Sequence, residues 1–354
     1  MPYLEIHIQS ICHNTKAIVG LCHTVGVEVI GVTKGVCGLP SVARAMLVGG
    51  VAGIADSRLA NLARLRRSGI GASMMLLRAP TLGEMTEAVA IADTFLCSSV
   101  ESIKALSKSA SVQGRVAYVI PMVEMGDRRE GVMPGDLEGL LAAICDLPGV
   151  RVHGLGTNMA CFAGVVPTPA AIAELAGLAY GCGFSGSKAL LSAGNSSCLG
   201  LIIDDQWPGI ALPSHLRIGE SILLGRDVLT KQSITGLRQD GFRLFAEVIE
   251  VARKPSLPQG VVGYNAFDEE LSLKDYGTHQ RAIVALGRQD LGAGHLYPRD
   301  QAIEVVGMTS DHTILAVDKA SDVVKPGDTL EFRLDYGGLL GAITSPYVEK
   351  IIYE

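Results

Sequence analysis

The stretch Val29-Ile30-Gly31-Val32-Thr33-Lys34-Gly35-Val36-Cys37-Gly38 joins an apolar, β-branched run to a lysine and a glycine-rich turn. Its first five residues predict a buried parallel strand, because such strands are covered on both faces and lack alternating polar positions. Lys34 stands where that strand ends, and a lysine on so rigid a support can form an imine with a carbonyl compound. The alternative is a lysine whose stem only covers the strand end.

The same unit, an apolar run followed by a helix-like stretch, recurs along the first two thirds of the chain. Eight such runs predict an α/β fold, a (β/α)8 barrel of the TIM type, with a doubly wound open sheet as the competitor. The runs are residues 29–33, 51–55, 74–77, 94–97, 116–121, 152–156, 189–192 and 215–218.

Polar side chains follow most of these runs. The carboxyl ends of the strands form the mouth of a TIM-type barrel, where its active sites lie, so these side chains predict a site there. They are Lys34, Asp56, Arg78, Ser98, residues 124–129, Asn158, residues 192–197 and residues 217–221.

After about residue 225 the pattern changes to short segments with a period of two residues, and Pro-Gly-Asp at 326–328 is typical of a turn between two of them. We therefore predict a barrel over residues 11–224 and an antiparallel β domain over residues 225–354. Residues 1–10 also alternate, which predicts one more strand for the β domain.

Composition narrows the class of protein. The 354 residues are 48% hydrophobic and 19% charged, and no apolar stretch approaches the ~18 residues of a spanning helix, so we expect no membrane partner. A net charge of −6 argues against a nucleic-acid partner. Eight scattered cysteines without a C-x-x-C pair indicate reduced thiols and no metal site, and the N-terminus shows no secretory signal, which together favour the cytoplasm.

Two stretches late in the barrel are candidates for phosphate binding. Residues 192–197 (Ser-Ala-Gly-Asn-Ser-Ser) and 216–221 (Leu-Arg-Ile-Gly-Glu-Ser) follow the seventh and eighth predicted strands, the recurrent phosphate site of this fold. Residues 181–186 also fit G-x-G-x-x-G, but they follow a helix and precede a strand, the reverse of the order in a dinucleotide site.

With these residues assembled, the chain resembles, over nearly its whole length, the alanine racemase family of fold-type III pyridoxal phosphate enzymes, and most closely its ornithine racemase branch. The resemblance implies that Lys34 forms the internal aldimine with pyridoxal 5'-phosphate. It also implies that Arg217 hydrogen-bonds the pyridine nitrogen and that Arg129 lies near the cofactor's phenolic oxygen and the substrate carboxylate. The phosphate-side residues expected are Ser192, Asn195, Ser196, Gly219 and Glu220.

The resemblance also assigns residues in the β domain. Tyr264 matches the catalytic tyrosine, which acts on the face opposite Lys34 and reaches the lysine of the other subunit, so a homodimer with shared sites is implied. Ser310 and Asp311 match a partner-subunit loop beside the substrate carboxylate. The phosphate-contacting tyrosine falls at Tyr347, with Ser345 as the other candidate in a loose alignment.

Three departures point away from alanine and toward the ornithine racemase pattern. Asn158 stands where alanine racemases have a histidine behind the cofactor ring. Gly38 replaces a tyrosine, which predicts a roomier pocket. Residues 285–290 (Ala-Leu-Gly-Arg-Gln-Asp) replace a stretch whose tyrosine and aspartate follow a glycine.

The resemblance implies a racemase that exchanges the Cα proton with two bases, acting on ornithine or on a related basic or broad set of amino acids. The alternatives are an alanine racemase, a decarboxylase or D-threonine aldolase of the same fold, and a non-catalytic pyridoxal phosphate carrier. A substrate ammonium needs a buried carboxylate or a polar, partly hydrated subsite. Four acids remain open as suppliers of this environment: Glu124, Asp127, Asp290 and Asp311.

Overall fold

The computed structural model describes residues 1–186, 189–270, 275 and 277–354. The chain forms two compact units, one of residues Ile8–Gln239 and one of residues Met1–His7 with Asp240–Glu354. Elements are numbered along the chain.

The larger unit is built on a parallel sheet in the order β7-β6-β5-β4-β3-β2-β10-β9-β8. A parallel bridge joins Gly156 of β8, at one end of this order, to Met122, which follows β6 near the other end. The sheet is thus a nearly closed barrel, which confirms the predicted fold. The strands are β2 (Val27–Val32), β3 (Gly53–Asp56), β4 (Met74–Leu76), β5 (Thr94–Cys97), β6 (Ala117–Pro121), β7 (Val150–Val152), β8 (Gly154–Gly156), β9 (Leu190–Asn195) and β10 (Ser214–Ile218).

One predicted strand, residues 152–156, is divided between β7 and β8. The break lies at His153, whose N–H donates to the carbonyl of Val119 at 2.8 Å while its own carbonyl accepts from Leu190 N at 2.9 Å. Gly154 then takes a φ of 148°, and a Cβ there would lie 1.7 Å from the Leu190 carbonyl oxygen. Only glycine fits so close an approach between strands.

The helices of this unit pack around the barrel strands. Where caps form, they follow the usual chemistry: Ser99 accepts from Ser102 N at the start of α5, and Thr168 accepts from Ala171 N ahead of Pro169 at the start of α7. The helices are α1 (Ile8–His23), α2 (Pro40–Val48), α3 (Leu59–Arg67), α4 (Met85–Ile91), α5 (Val100–Val112), α6 (Leu137–Ile144), α7 (Pro169–Gly181), α8 (Leu199–Ile203) and α9 (Glu220–Leu224).

The smaller unit is a β sheet whose strand pairs are antiparallel except for β1 with β17, which run parallel. The predicted antiparallel β architecture is confirmed. Its strands are β1 (Tyr3–His7), β11 (Phe242–Pro255), β12 (Thr278–Val284), β13 (Leu296–Pro298), β14 (Glu304–Met308), β15 (Thr313–Ala316), β16 (Thr329–Leu334) and β17 (Glu349–Tyr353), and its helices are α10 (Arg288–Leu291) and α11 (Tyr336–Thr344).

The two units divide between Gln239 and Asp240, later than the boundary expected after residue 224. The intervening segment is tied to α1, because the buried Asn14 donates to the Arg238 carbonyl at 2.8 Å and accepts from Arg238 N at 2.7 Å. In the part of the chain that the structure describes, no helix is both long and apolar enough to cross a membrane.

Candidate active site

Lys34 begins a single 3-10 turn directly after β2. The turn closes with hydrogen bonds from Val36 N and Gly38 N to the Thr33 carbonyl, at 3.0 and 3.1 Å. The Lys34 side chain is exposed, and its ammonium forms no hydrogen bond or ion pair with the described residues. A rigid turn thus presents an uncommitted amine at the carboxyl end of a barrel strand.

Asp56, at the end of the neighbouring strand β3, supports this turn. Its carboxylate accepts the Thr33 hydroxyl at 2.8 Å, Asn61 Nδ2 at 3.0 Å and Arg58 N at 2.9 Å. The side chain is fully buried, and this burial raises its pKa above the ordinary value although the hydrogen bonds act in the opposite direction. Asp56 therefore holds the residue before Lys34 and does not face open solvent.

From the sequence we expected Gly38 to make the pocket roomier, but the structure shows that the space beside it is filled. A Cβ at residue 38 would lie 2.7 Å from the Cβ of Asn61 and 3.1 Å from its Cα, and the φ of Gly38 is 61°. Helix α3 fills the space that a side chain would take, so glycine reflects the close approach of the Lys34 turn to this helix.

Arg217, on β10, is the most completely held cation of the barrel mouth. Its Nη2 donates to the Thr157 carbonyl and to Asn158 Oδ1, both at 2.7 Å, and its Nη1 donates to the carbonyl and hydroxyl oxygens of Ser192. Burial lowers its pKa to about 10, which still leaves the guanidinium protonated near neutral pH. Among the described residues no acceptor bonds its Nε, so one N–H remains for another group.

His215 completes the support of Arg217 through Ser192. Because Arg217 can only donate, the Ser192 oxygen accepts from it, and the Ser192 hydroxyl then donates to His215 Nε2 at 2.7 Å. Burial, with Arg217 nearby, lowers the pKa of His215 to about 3 and keeps the ring neutral. Ser192 was predicted to bind the cofactor, and the structure places its hydroxyl in this support.

The candidate phosphate loops meet where β9 and β10 end. Gly219 N donates to Ser196 Oγ at 3.2 Å, while the Ser196 hydroxyl hydrogen has no acceptor among the described residues. The side chain of Glu220 turns to Arg226 at 2.9 Å, so Glu220 can offer this site its backbone N–H. Gly219 also lies against β2, since its Cβ would meet the Val32 carbonyl oxygen at 3.1 Å.

Asn195, also predicted to bind the cofactor, is occupied within the protein. Its Oδ1 accepts from Ser197 N at 2.8 Å, and its Nδ2 donates to the Met159 carbonyl at 2.9 Å. We interpret it as a cap that ties the loop after β9 to the loop after β8.

Arg129 and Asn158 share one carboxylate, that of Glu130. Glu130 Oε1 accepts from Arg129 Nη2 at 2.5 Å and from Asn158 Nδ2 at 2.8 Å. Partial burial opposes charging of Arg129, but its hydrogen bond to Glu130 raises its pKa above the ordinary value. Because Asn158 also accepts from Arg217, a continuous chain of hydrogen bonds links the two arginines.

Two acids of this loop build the backbone around Arg129. The buried Asp127 accepts the N–H groups of residues 161–163 at 2.9 to 3.1 Å. Glu124 accepts from Gly126 N at 2.5 Å. A Cβ at Gly131, whose φ is 140°, would lie 2.5 Å from Glu124 N, so the loop turns back on itself tightly.

In the smaller unit, Tyr264 lies on an exposed loop, with 75% of its surface accessible. The next residue, Asn265, bonds Glu269 Oε2 at 2.9 Å, and both carboxylate oxygens of Glu269 accept from Arg288, at 2.8 and 3.0 Å. Arg288 N donates to the Thr309 carbonyl at 2.9 Å. Hydrogen bonds therefore connect the Tyr264 loop with the loop that carries Ser310 and Asp311.

Two further predicted residues of this unit differ in exposure. Ser345 is buried and donates to Asp290 Oδ1 at 2.8 Å, while Asp290 Oδ2 accepts from Gly287 N at 3.2 Å. Tyr347 is 57% exposed, and its backbone N–H donates to Ser345 Oγ. Tyr347 is therefore the more accessible of the two phosphate-contact candidates.

The structure gathers Lys34, Arg217, Ser196 and Gly219 at one rim of the barrel, since β2 and β10 are parallel neighbours. Tyr264, Ser310, Asp311 and Tyr347 belong to the other unit. Sequence reasoning did not identify Glu130, His215 or Thr157 as parts of the site; the one available signal was that Glu130 directly follows Arg129. Within the described ranges, no group of three His, Cys, Asp or Glu residues could hold a metal ion.

Comparison with known proteins gives consistent results along the whole chain. A family model described as the N-terminal domain of alanine racemase matches residues 6–223. The chain is 36% identical over 358 residues to lysine racemase of Thermotoga maritima, covering 100% of this chain and 98% of the relative. It is 35% identical over 353 residues to ornithine racemase of Acetoanaerobium sticklandii, covering 99% of each.

Among solved structures, alanine racemase from D-cycloserine producing Streptomyces lavendulae is similar with a TM-score of 0.70 at 17% identity, covering 100% of this chain and 97% of that one. A likeness at this identity shows the fold alone.

Proposed function

This chain belongs to the alanine racemase family, as its sequence predicted, and is an amino-acid racemase, and we propose that it interconverts the enantiomers of a basic amino acid with pyridoxal 5'-phosphate. The observation that carries the substrate class is the full-length similarity to a lysine racemase and an ornithine racemase. The shared fold alone does not distinguish among amino acids. We place the enzyme in the cytoplasm because its cysteines are scattered without disulfide spacing.

The donor set of the barrel mouth fits this cofactor. Arg217 has an Nε–H without a protein acceptor, and Ser196 has a hydroxyl in the same condition, within the described residues. Arg217 would hold the pyridine nitrogen, and Lys34 would bind the carbonyl carbon. The Ser196 hydroxyl and the Glu220 N–H would hold the phosphate, with the Gly219 N–H, which donates to Ser196 Oγ, beside them. When bound, pyridoxal phosphate supplies the electron sink that makes the Cα proton acidic.

Inversion at Cα needs one base on each face of the substrate. We assign the Lys34 amine to one face and the Tyr264 hydroxyl to the other. Arg129 would bind the substrate carboxylate and so orient Cα between them. Because Tyr264 is exposed in the smaller unit, we infer that it serves the barrel of a second copy of this chain, in a homodimer with shared sites.

The rival reactions of this fold predict different products. A decarboxylase releases carbon dioxide and an aldolase releases glycine, whereas a racemase gives equal final amounts of two enantiomers. A non-catalytic carrier gives no product, and its resemblance would cover the barrel alone, while the relatives of this chain cover both units.

Chiral chromatography of pure L-ornithine, L-lysine and L-alanine after incubation with the cofactor-loaded protein tests the proposal. We expect both enantiomers of ornithine or lysine in equal amounts at equilibrium, and slower conversion of alanine. Each of these amino acids remaining a single enantiomer would contradict it.

A further inference from the structure

The side chain of a basic substrate carries an ammonium group, and it enters a site that already contains several cationic side chains. Lys34, Arg129 and Arg217 lie on the loops and strand ends of the barrel mouth. Without a carboxylate close by, the side-chain ammonium of ornithine or lysine would lose hydration and meet like charges. The site therefore needs a carboxylate with an oxygen that does not already accept hydrogen bonds within the fold.

We propose that Glu130 receives the side-chain ammonium of the substrate and so selects basic over uncharged amino acids. This inference rests on the proposed function. Glu130 Oε1 is held by Arg129 and Asn158, at 2.5 and 2.8 Å, which sets the orientation of the carboxylate. Oε2 accepts no hydrogen bond from the described residues, and 38% of the side chain is exposed.

The position of Glu130 follows from its neighbours. Asn158 donates to Glu130 with Nδ2 and accepts from Arg217 with Oδ1, so its amide can have only one orientation. Glu130 is thereby two hydrogen bonds from Arg217, which we assign to the cofactor ring. Its free oxygen belongs to the same polar cluster as Arg129, which we assign to the substrate carboxylate.

The other acids of the barrel mouth are committed elsewhere. Asp56 and Asp127 are buried, and each accepts three hydrogen bonds with its two oxygens. Glu124 is 8% exposed and caps Gly126 N. Glu220 is bonded by Arg226 and lies 3.7 Å from the Lys231 ammonium.

Selection follows from the difference between two substrates. An ammonium gains a charge-assisted hydrogen bond at Oε2, whereas norvaline, whose chain ends one atom earlier in a methyl group, offers this carboxylate oxygen no donor. Glu130 should therefore favour ornithine over norvaline, which has the same carbon chain and no terminal amine.

Glu130→Gln tests the assignment, because glutamine keeps the size and an oxygen acceptor for Arg129 and Asn158 while it removes the charge. We expect kcat/KM for ornithine to fall about tenfold or more, the size of one charge-assisted hydrogen bond, mainly through KM. Norvaline should change by less than about threefold. Glu130→Asp should retain part of the preference for ornithine.

Asp311→Asn is the matched control, because Asp311 is exposed and, among the described residues, its Oδ2 accepts only the Ser310 hydroxyl at 2.6 Å. We expect this variant to affect ornithine and norvaline alike. The opposite result is that Asp311→Asn loses the preference for ornithine over norvaline while Glu130→Gln keeps it. That result would overturn the assignment to Glu130 in favour of Asp311.

An equal loss for both substrates in Glu130→Gln would show that Glu130 only positions Arg129, and would overturn the inference alone. Absence of racemisation of either substrate by the wild-type protein would instead overturn the proposed function.

Discussion

The barrel mouth and the loop that carries Tyr264 differ in how completely their polar groups are paired. In the barrel mouth, Arg217, His215 and Asp56 are all at most 3% exposed, and each is hydrogen-bonded. Tyr264 is 75% exposed, and its hydroxyl bonds no described residue. Its loop is connected to α10 by the hydrogen bonds of Asn265 with Glu269 and of Glu269 with Arg288.

We interpret this difference as a division of the chemistry between the two units. Groups that hold a cofactor must be preorganised, and the barrel organises them within one unit. An acid/base group must lie in a site that excludes water, and an exposed tyrosine gains such a surrounding only when another surface covers it. The contrast supports a site completed by a second copy of the chain.

Among the residues of the barrel mouth, Lys34 should have the largest effect on activity when it is replaced. We expect Lys34→Ala to lower racemisation by at least ~10³-fold, because one base and the covalent attachment are both lost. The visible absorption of the bound cofactor should disappear with it. Lys16→Ala, at an exposed lysine of α1, is the control and should retain both. Retained absorption in Lys34→Ala would show that Lys34 does not hold the cofactor.

Tyr264 is the corresponding residue to test in the smaller unit. Tyr264→Phe should lower net racemisation by ~10²–10⁴-fold, the usual contribution of a general acid or base. Exchange of the Cα proton with solvent deuterium, followed by NMR, should continue for one enantiomer, since Lys34 still serves its face. Tyr297→Phe, at another exposed tyrosine of the smaller unit, should be unaffected. Full turnover in Tyr264→Phe would support a one-base reaction.

Replacing Gly38 tests the rigidity of the turn that carries Lys34. Gly38→Ala adds a Cβ against Asn61 in a left-handed turn, which should lower the free energy of unfolding by ~2–4 kcal/mol. Gly26→Ala has a similar φ of 72°, but no atom of the described residues lies within 4 Å of the new Cβ, so it should cost only ~1–2 kcal/mol. Urea unfolding measures both values. Equal losses would show that contact with α3 is unimportant.

The smallest effect concerns the buried, neutral His215. Its pKa is lowered to about 3 in the folded chain, so between pH 6.5 and 3 the unfolded chain binds the extra proton and stability falls as pH falls. In His215→Gln the unfolding free energy should therefore decline by ~1–2 kcal/mol less between pH 6.5 and 5. Identical pH slopes in urea unfolding would mean that His215 is not held neutral.

The sequence predicted the barrel because its evidence was local: an apolar run, then a polar residue, repeated eight times. The division of residues 152–156 was not predictable, because it depends on Val119 and Leu190, which are distant in sequence from His153. The short β13 and helix α11 were also missed, since three residues carry little periodic signal and α11 is rich in glycine.

Within the site, the residues carried over by resemblance were those with a motif, such as Lys34 and Arg217. Glu130 has no motif, and the role that we propose for it depends on Asn158, which lies 28 positions later and bonds its carboxylate. Gly38 was misinterpreted for the same reason, because its neighbour Asn61 lies on another element.

Mixing inactive variants tests whether Lys34 and Tyr264 from two copies of the chain form one racemising pair. Lys34→Ala and Tyr264→Phe chains are unfolded together, refolded and assayed. If sites are shared, half of the dimers are mixed and each carries one intact site, so roughly a quarter of wild-type activity should return. If mixing restores no activity although mixed dimers form, Lys34 and Tyr264 do not act together across subunits.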